Sequence, residues 1–419
     1  MSAALRVLVL VQGTLGERLA GPEIRGWEIA KAFAGSHDVT VAAGVDAPCP
    51  REGIPVVPRT RRSIVAEVRR ADVIIAPVIP PYAFLANPRC LRVADLYDPV
   101  ELEIGTLPGA RARRDAQSRR IGRGIHLERS DVVLGANRRQ LARARNDHAA
   151  LRRRAPAPSM LMVPMGLPAA PGPPAGHPIR ERFPEIGPDD PVVLWWGNVW
   201  RWLDADTAVD AVELLARDRP DVRLVITAGR PANAATDSLI VTEEVRARAT
   251  ARGLVGRTVF FLDEWVPFER RGDYLADADV GIAMHADTPE AALAARARYM
   301  DYVWASLPSV LAAGDEVGDE LAQAGAAVLV PPGDAEAAAA ALGSLLFEPG
   351  RLGVAREACR DVADAYRWEA LLAPLIDLVE ARGHDAARLR RGDRLGVARQ
   401  AGGYYARRVV DRALAPLSR

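Results

Sequence analysis

The side chains best suited to do chemistry follow one apolar strand in the second half of the chain. Val280–Ala283 is predicted as a strand, and the segment after Pro289 is predicted as a helix. The charged side chains that follow this strand are His285, Asp287, Glu290, Arg296, Arg298 and Asp301. Ligands bind at the carboxyl ends of strands in open α/β sheets. Arginines beside carboxylates there suit a nucleoside diphosphate, because guanidinium groups pair with phosphate and carboxylates with ribose hydroxyls.

An exposed helix face with local ion pairs would carry the same residues, and such pairs contribute only about a few tenths of a kcal/mol each. Arg298 and Asp301 are three residues apart and therefore share a helix face, whereas Arg296 lies off that face. His285 fits either a ligand contact or a buried histidine at a strand end.

The elements that must position these residues form two α/β series. The strands predicted in the first series are Val7–Val11, Val39–Ala43, Asp72–Ala76, Leu91–Ala94 and Asp131–Leu134, with Val163 near a last one. Those predicted in the second are Val192–Trp196, Val222–Thr227, Val259–Phe261, Val280–Ala283, Ser309–Leu311 and Val328–Val330. Helical patterns separate the strands, which indicates βαβ units and parallel sheets.

The segment Pro168–Pro191 between the two series has the proline and glycine content of a linker. The sequence therefore predicts an α/β protein with two Rossmann-like doubly wound domains and an interdomain cleft that binds ligand. The predicted bounds are 1–175, 176–370 and a C-terminal helical region at 371–419 that crosses back to the first domain.

Candidate residues in the first half follow two of its strands. Gly13, Gly16 and Gly21 come after the first strand, but their spacing is not GxGxxG, so a dinucleotide fingerprint is not supported. Asp98 and Glu101 follow another strand, where they either cap the next helix or contact a sugar or acceptor. The sequence contains no GxSxG, HExxH or P-loop motif.

Composition excludes several classes of protein. The 419 residues carry a formal net charge of +1, which argues against a nucleic-acid-binding polycation. Cys49, Cys90 and Cys359 are scattered, so neither a disulfide framework nor a structural zinc site is expected. Neither a signal peptide nor a membrane-spanning stretch is apparent, and a cytoplasmic location is expected. From His384 onward nine arginines face three aspartates, which predicts either a helix on an anionic membrane or a solvated helix over the first domain.

Several segments are similar to those of one enzyme family. They are GPEIRGWEIAKAFA (21–34), RVADLYDPVELE (92–103), SDVVLGANRRQLARAR (130–145), VPMGLP (163–168), VVLWWGNVWRWLDADTAVDAV (192–212) and LDEWVPFERRGDYLADADVGIAMHADTPE with RARYMDYVWASLP (262–290 and 296–308). On these motifs the chain resembles GT-B glycosyltransferases over residues 5–380. The closer resemblance is to bacterial, retaining, glycogen-synthase-like members.

This resemblance implies a hexosyl-type transferase that moves a sugar from a nucleoside-diphosphate sugar to an acceptor, such as a surface polysaccharide, a lipid-linked glycan or a natural product. The first domain would hold the acceptor and the second the donor, without a metal or other cofactor and without nucleic acid as a partner. The implied catalytic residues are Asp98, His285 and Glu290; the donor-binding ones are Gly197, Asn198, Arg201, Arg296, Arg298 and Asp301; the acceptor or sugar loop contains Gly13, Gly16, Gly21 and Glu101. The absence of histidine from residues 12–25 fits retention.

The sequence departs from the family in two places. In the E-x7-E motif Asp301 takes the second acidic position, but Leu293 stands at the first, and Glu290 is the expected substitute. Asn198 and Leu203 stand where many members have arginine and lysine, so the resemblance leaves Arg296 and Arg298 to grip the diphosphate. The alternatives are a sugar-nucleotide epimerase of the same architecture and a non-catalytic partner that binds a sugar nucleotide.

Overall fold

The computed structural model describes residues 4–16, 19–45, 52–87, 89–151, 157–229, 236–383 and 402, which form two compact units. The first unit combines residues up to Pro164 with those from Trp368 onward, and the second runs from Met165 to Arg367. The basic segment 384–419 lies outside the described residues except for Gly402. Among the described residues, no helix has both the length and the apolar character needed to cross a membrane.

The first unit is built on a parallel sheet. Its strands are β1 (Arg6–Leu15), β2 (Asp38–Val45), β3 (Val56–Pro58), β4 (Val73–Ala76), β5 (Leu91–Asp95), β6 (Val132–Gly135) and β7 (Ser159–Met162). Their order is β3-β2-β1-β4-β5-β6-β7. The helices between them are α1 (Gly21–Ala34), α2 (Arg61–Arg70), α3 (Pro81–Ala86), α4 (Val100–Thr106), α5 (Gly109–Arg129) and α6 (Arg138–Ala150). Continuous runs of buried Val, Ile, Leu and Ala form the central strands, as expected for a sheet covered on both faces.

The second unit repeats this plan. Its strands are β8 (Val192–Trp195), β9 (Arg223–Thr227), β10 (Val259–Leu262), β11 (Val280–Ala283), β12 (Ser309–Ala312) and β13 (Ala327–Val330), in the order β10-β9-β8-β11-β12-β13. Its helices are α7 (Pro178–Arg182), α8 (Ala205–Leu215), α9 (Thr236–Ala251), α10 (Arg271–Ala276), α11 (Ala297–Trp304), α12 (Glu316–Gln323), α13 (Ala335–Phe347) and α14 (Arg351–Ala365). The prediction of two doubly wound parallel α/β domains is confirmed.

The last described helix, α15 (Trp368–Gly383), belongs to the first unit and packs against α1. The chain leaves the first unit at Pro164, earlier than the predicted bound at 175. The reason is that Leu167 already pairs with Arg367 as a parallel bridge, and its N–H donates to the Tyr366 carbonyl at 2.7 Å. The two points at which the chain enters and leaves the second unit therefore lie side by side.

The segment Pro168–Pro191 is not a free linker, contrary to the prediction. It contains α7, and Ile179 is fully buried. The Asp277 carboxylate accepts hydrogen bonds from the Ile179 N–H at 2.8 Å and from the Arg180 side chain at 2.5 Å. The proline content of the segment suggested a linker. The sequence did not reveal these contacts, because Asp277 lies about a hundred residues further along the chain.

Two local elements also differ from the prediction. The short edge strand β3 was not predicted, because it has only three residues and ends in Pro58. The predicted helix after Pro289 does not form as one piece. Ala291–Leu293 is a 3-10 turn, Ala294 is extended, and α11 begins only at Ala297.

Candidate active site

The strand order of the second unit brings three loops together. β11 lies between β8 and β12, so the residues that follow these three parallel strands meet at one edge of the sheet. The order reverses between β8 and β11, which is the position where open α/β sheets bind ligands. The side chains that reach this edge are Trp196, His285, Arg298, Asp301 and Asp315.

Arg298 is a buried guanidinium whose hydrogen-bond donors are only partly satisfied. Its Nη2 donates to the Asn198 carbonyl at 2.8 Å, and its guanidinium lies 5.0 Å from the centre of the Trp195 ring. Its Nη1 is buried and has no hydrogen-bond partner among the described residues. Burial lowers the pKa of Arg298 to about 10, so the group stays charged at neutral pH without a counter-ion of its own. This guanidinium is therefore ready to receive an anion.

The loop after β8 is shaped to accept Arg298. Gly197 has φ +81°, a conformation that favours glycine, and a Cβ there would lie 3.6 Å from the Arg298 Nη2. The Gly197 N–H donates to Thr227 Oγ1 at 2.6 Å, which ties this loop to the end of β9. Asn198 thus contributes its backbone carbonyl to the site.

Asp301 is fixed by two neighbours from different elements. Its Oδ2 accepts from the Trp196 indole N–H at 3.0 Å, and its Oδ1 lies 3.5 Å from Arg271 Nε. The Arg271 guanidinium is stacked on Phe268 and Trp304 at 3.7 and 4.1 Å from their ring centres. Burial raises the pKa of Asp301, although its side chain keeps 21% of its surface exposed. A carboxylate held in this way can accept hydrogen bonds from ligand hydroxyls.

His285 lies beside Asp315, a residue that the sequence analysis did not select. Its Nδ1 donates to the Ala286 carbonyl at 3.0 Å, because a carbonyl can only accept. Its Nε2 lies 3.7 Å from Oδ2 of Asp315, and neither atom has a hydrogen-bond partner among the described residues. Asp315 Oδ1 caps α12 by accepting from the Gly318 N–H at 2.7 Å. Asp315 follows β12 as His285 follows β11, so the same strand-end rule could have found it.

Glu290 and Arg296 neutralise each other. Their side chains are buried, and Arg296 Nη2 lies 3.1 Å from Glu290 Oε2. Burial opposes the charge of Arg296, but Tyr299, Glu290 and Asp315 raise its pKa above the ordinary value. The sequence analysis predicted a helix after Pro289, but α11 begins only at Ala297, so the positive end of the helix dipole lies beside Arg298 and not beside Glu290.

Arg201 does not join this group. Its guanidinium lies 3.6 Å from Glu244 of α9. Leu203, which stands in place of the family's lysine, is buried and pairs with His285 as an antiparallel bridge. Trp200 and Trp202 stack on each other at 5.1 Å and pack against the core of the second unit.

In the first unit, Gly13 lies within β1, later in the strand than predicted, and Gly16 follows directly after it. The Glu23 carboxylate lies so close to Gly13 that a Cβ there would lie 1.3 Å from Oε1, so a larger residue would require the Glu23 side chain to move. Gly16 ends the described part of the glycine loop, and Gly21 is the first residue of α1. The Ala20 N–H donates to Glu23 Oε2 at 3.2 Å, which fixes the start of α1.

Asp98 and Glu101 have different surroundings. Asp98 is partly exposed after β5, whereas Glu101 is buried and lies 2.6 Å from Arg143 Nη2. A second buried pair beside them was missed by the sequence analysis. Arg25 is fully buried, and its Nε and Nη2 donate to Asp95 at 2.7 and 2.9 Å. This pair joins α1 to the end of β5.

Comparison with known proteins agrees with this arrangement. Residues 190–348 match the family model for glycosyl transferases group 1. The match lies within the second unit and covers most of it. No curated protein matches the chain. Within the described residues, no cluster of three or more His, Cys, Asp or Glu side chains could hold a metal ion.

Solved GT-B glycosyltransferases share the whole fold. HepE from Anabaena in complex with UDP-glucose is 16% identical with a TM-score of 0.68, over 90% of this chain and 100% of that one. Sucrose-phosphate synthase from Thermosynechococcus elongatus is 16% identical with a TM-score of 0.64, over 90% and 98%. WaaG, a glycosyltransferase involved in lipopolysaccharide biosynthesis, is 16% identical with a TM-score of 0.61, over 90% and 99%. The predicted resemblance to GT-B glycosyltransferases is confirmed at the level of fold and domain family.

Proposed function

We propose that the protein transfers a sugar from a nucleoside-diphosphate sugar to an acceptor, with retention at the anomeric carbon. The observation that carries this proposal is the buried Nη1 of Arg298, a charged donor without a partner among the described residues, at the point where the strand order reverses. The group 1 glycosyl transferase match and the UDP-glucose bound by HepE support a hexose on a uridine diphosphate as the donor.

The chemistry is electrostatic. As the bond to the sugar breaks, negative charge grows on the leaving diphosphate. Arg298 and the N-terminus of α11 would stabilise that charge, since α11 has no side-chain cap at Arg296. Asp301 would accept from the ribose hydroxyls, held in position by Trp196. The backbone of Gly197 and Asn198 would line the diphosphate.

The remaining residues would act around the sugar and acceptor. His285 would orient the transferred sugar, and the Glu290–Arg296 pair would hold the turn that leads into α11. Asp98 and the loop that contains Gly13, Gly16 and Gly21 would face the acceptor. The buried Glu101 would support that region through Arg143, and contact with the acceptor is no longer proposed for it.

The acceptor and the cellular place are also proposals. A cytoplasmic enzyme with a glycan, lipid-linked or small-molecule acceptor fits the group 1 family. Peripheral contact with an anionic membrane would come from segment 384–419, with its excess of six positive charges from nine arginines and three aspartates. Each basic residue near such a surface contributes about 1 kcal/mol, and the attraction weakens with salt.

Calorimetric titration with UDP tests the diphosphate grip. Arg298→Ala should lower UDP affinity by about tenfold to a hundredfold, on the scale of a hydrogen bond to a charged group. Arg201→Ala is the matched control, because Arg201 is paired with Glu244 and should be dispensable. If the two variants give the reverse result, Arg201 holds the diphosphate and the proposed site is misplaced.

A further inference from the structure

Arg271 is a stacked arginine that stands beside Asp301, the candidate ribose ligand. It is the first residue of α10 and is buried. Its guanidinium contacts two aromatic rings, at 3.7 Å from the ring centre of Phe268 and 4.1 Å from that of Trp304. Its Nη1 also donates to the Phe268 carbonyl at 2.9 Å. Two rings and a carbonyl therefore hold this guanidinium in one orientation.

The larger of the two rings is itself fixed. Trp304 is the last residue of α11 and follows Asp301 by three residues. Its indole N–H donates to the Ala169 carbonyl at 2.7 Å. A Cβ at Gly272 would lie 3.3 Å from the Trp304 ring, so α10 packs closely against it. The stack therefore joins α10 to the part of α11 that carries Asp301.

Arg271 acts on Asp301 through its charge. Its Nε lies 3.5 Å from Asp301 Oδ1. Burial raises the pKa of Asp301, and the charge of Arg271 is the largest influence that opposes this rise. A guanidinium fixed at this distance favours the ionised carboxylate and attracts its Oδ1. Arg271 thus helps Asp301 to keep both its charge and its orientation.

Asp301 keeps acceptor sites for a ligand. An ionised carboxylate has about four lone-pair sites. Oδ2 accepts one hydrogen bond from the Trp196 indole N–H, and the Asp301 side chain remains partly exposed. Two hydroxyls on adjacent carbons can therefore bind one fixed carboxylate together. A ribose offers such a pair at its 2′ and 3′ positions, whereas a 2′-deoxyribose offers only the 3′ hydroxyl.

We propose that Arg271 is a positioning residue that makes the donor site selective for ribonucleoside diphosphates over 2′-deoxyribonucleoside diphosphates. Arg271 acts through Asp301 and not on the ligand itself. The inference rests on the proposed function, because that function places the ribose at Asp301. Selectivity is a ratio of two affinities, so it can be measured without knowledge of the acceptor.

Calorimetric titration of the whole chain with UDP and with 2′-deoxy-UDP measures this selectivity. The wild-type protein should bind UDP about tenfold more tightly, on the scale of one hydrogen bond to a charged group. Arg271→Met should reduce this preference to about twofold, because Asp301 loses the group that orients it. Arg270→Met is the matched control and should keep the preference, because Arg270 precedes Arg271 in the chain and is paired with Asp273.

The loss of one hydroxyl separates positioning from a general effect on the fold. If Arg271→Met lowers both affinities by the same factor, or leaves the preference unchanged, the proposal is overturned. If this variant fails to fold, Arg271→Lys carries the same test. Lysine keeps the charge but has no planar guanidinium to stack on the rings, so the preference should again fall, and an unchanged preference overturns the proposal.

Two results with the wild-type protein also decide the matter. Equal affinity for UDP and 2′-deoxy-UDP would overturn the selectivity and this inference with it, whereas UDP binding, and with it the proposed transfer, would stand. Failure of the wild-type protein to bind UDP would contradict the inference and the proposed function together.

Discussion

At the scale of single residues, the candidate donor site is defined by polar atoms that the fold buries without satisfying. Arg298 Nη1, His285 Nε2 and Asp315 Oδ2 have no hydrogen-bond partner among the described residues. A buried polar atom left in this state costs about 1–3 kcal/mol. Their concentration at one edge of one sheet means that a ligand would recover part of that cost on binding.

Trp196 offers a test of how this edge is kept in position. Trp196→Phe removes the indole N–H that holds Asp301 but keeps most of the ring. The expected loss is about 1 kcal/mol of UDP binding, or roughly fivefold in affinity, with an unchanged melting temperature. Trp200→Phe is the matched control, because Trp200 stacks on Trp202 and should leave UDP affinity unaltered. Equal affinities for both variants would show that Asp301 needs no such support.

Gly281 tests the packing beneath the site. A Cβ at Gly281 would lie 2.9 Å from the Tyr302 ring. The Tyr302 hydroxyl accepts from the backbone N–H of Trp196 at 3.1 Å, and its single O–H is shared between the carbonyls of Leu194 in β8 and Ile282 in β11. Gly281→Ala should destabilise the second unit by about 1–3 kcal/mol. Gly353→Ala in α14, where a Cβ meets open space, should be neutral or stabilising by up to about 1 kcal/mol. The melting temperature should therefore fall for Gly281→Ala and should stay equal or rise for Gly353→Ala.

At the scale of elements, His126 links α5 to the loop after β4. His126 Nε2 lies 3.0 Å from the Ile79 nitrogen, whose N–H can donate to it when Nε2 carries no proton, and 3.2 Å from the Ile79 carbonyl, to which a protonated Nε2 can donate. Burial lowers the pKa of His126 to about 4, against about 6.5 in an unfolded chain. Between these values the unfolded chain binds a proton that the folded chain does not, so acid favours unfolding.

The prediction from His126 is a loss of stability on acidification. The free energy of unfolding should fall as pH drops from about 6.5 to about 4, by on the order of 3 kcal/mol from this residue, and should be unaffected by it above that range. His126→Gln should be less stable at pH 7 yet less sensitive to acid. Urea titrations at several pH values provide the measurement, and parallel pH profiles for both proteins would contradict it.

The strands could be predicted from the sequence more reliably than the pairing of side chains. β11 and its neighbours are runs of apolar residues, so their positions and the ligand edge follow from the pattern. Arg296 looked like a diphosphate ligand, but a break before Ala297 turns it toward Glu290. Arg201 looked similar and pairs with Glu244 on another helix. The partner of each arginine depends on where a helix starts and on which side chain lies nearby in the fold. Residue spacing in the sequence does not carry this information.

At the scale of the whole molecule, the second unit should act alone as a nucleotide-binding domain. A fragment of residues 165–367 should bind UDP and transfer no sugar, since the first unit is missing. A fragment that starts at 185 removes α7 and the partners of Asp277, a carboxylate whose side chain is fully buried. Such a loss costs about 3–5 kcal/mol, so the shorter fragment should melt at a lower temperature. Equal melting temperatures would mean that α7 contributes nothing.

The adjacent crossings at Leu167 and Arg367 make the second unit an insert whose two ends meet. The Leu167 N–H donates to the Tyr366 carbonyl, so the two junctions of the second unit with the rest of the chain lie close together. Exchanging residues 165–367 for the equivalent segment of another enzyme would therefore alter the chain at two neighbouring points only. Domain insertions succeed most often where the ends are close. If the second unit binds the donor and the first unit binds the acceptor, replacement of the second unit can produce new combinations of sugar and acceptor. Neither binding site would itself have to change.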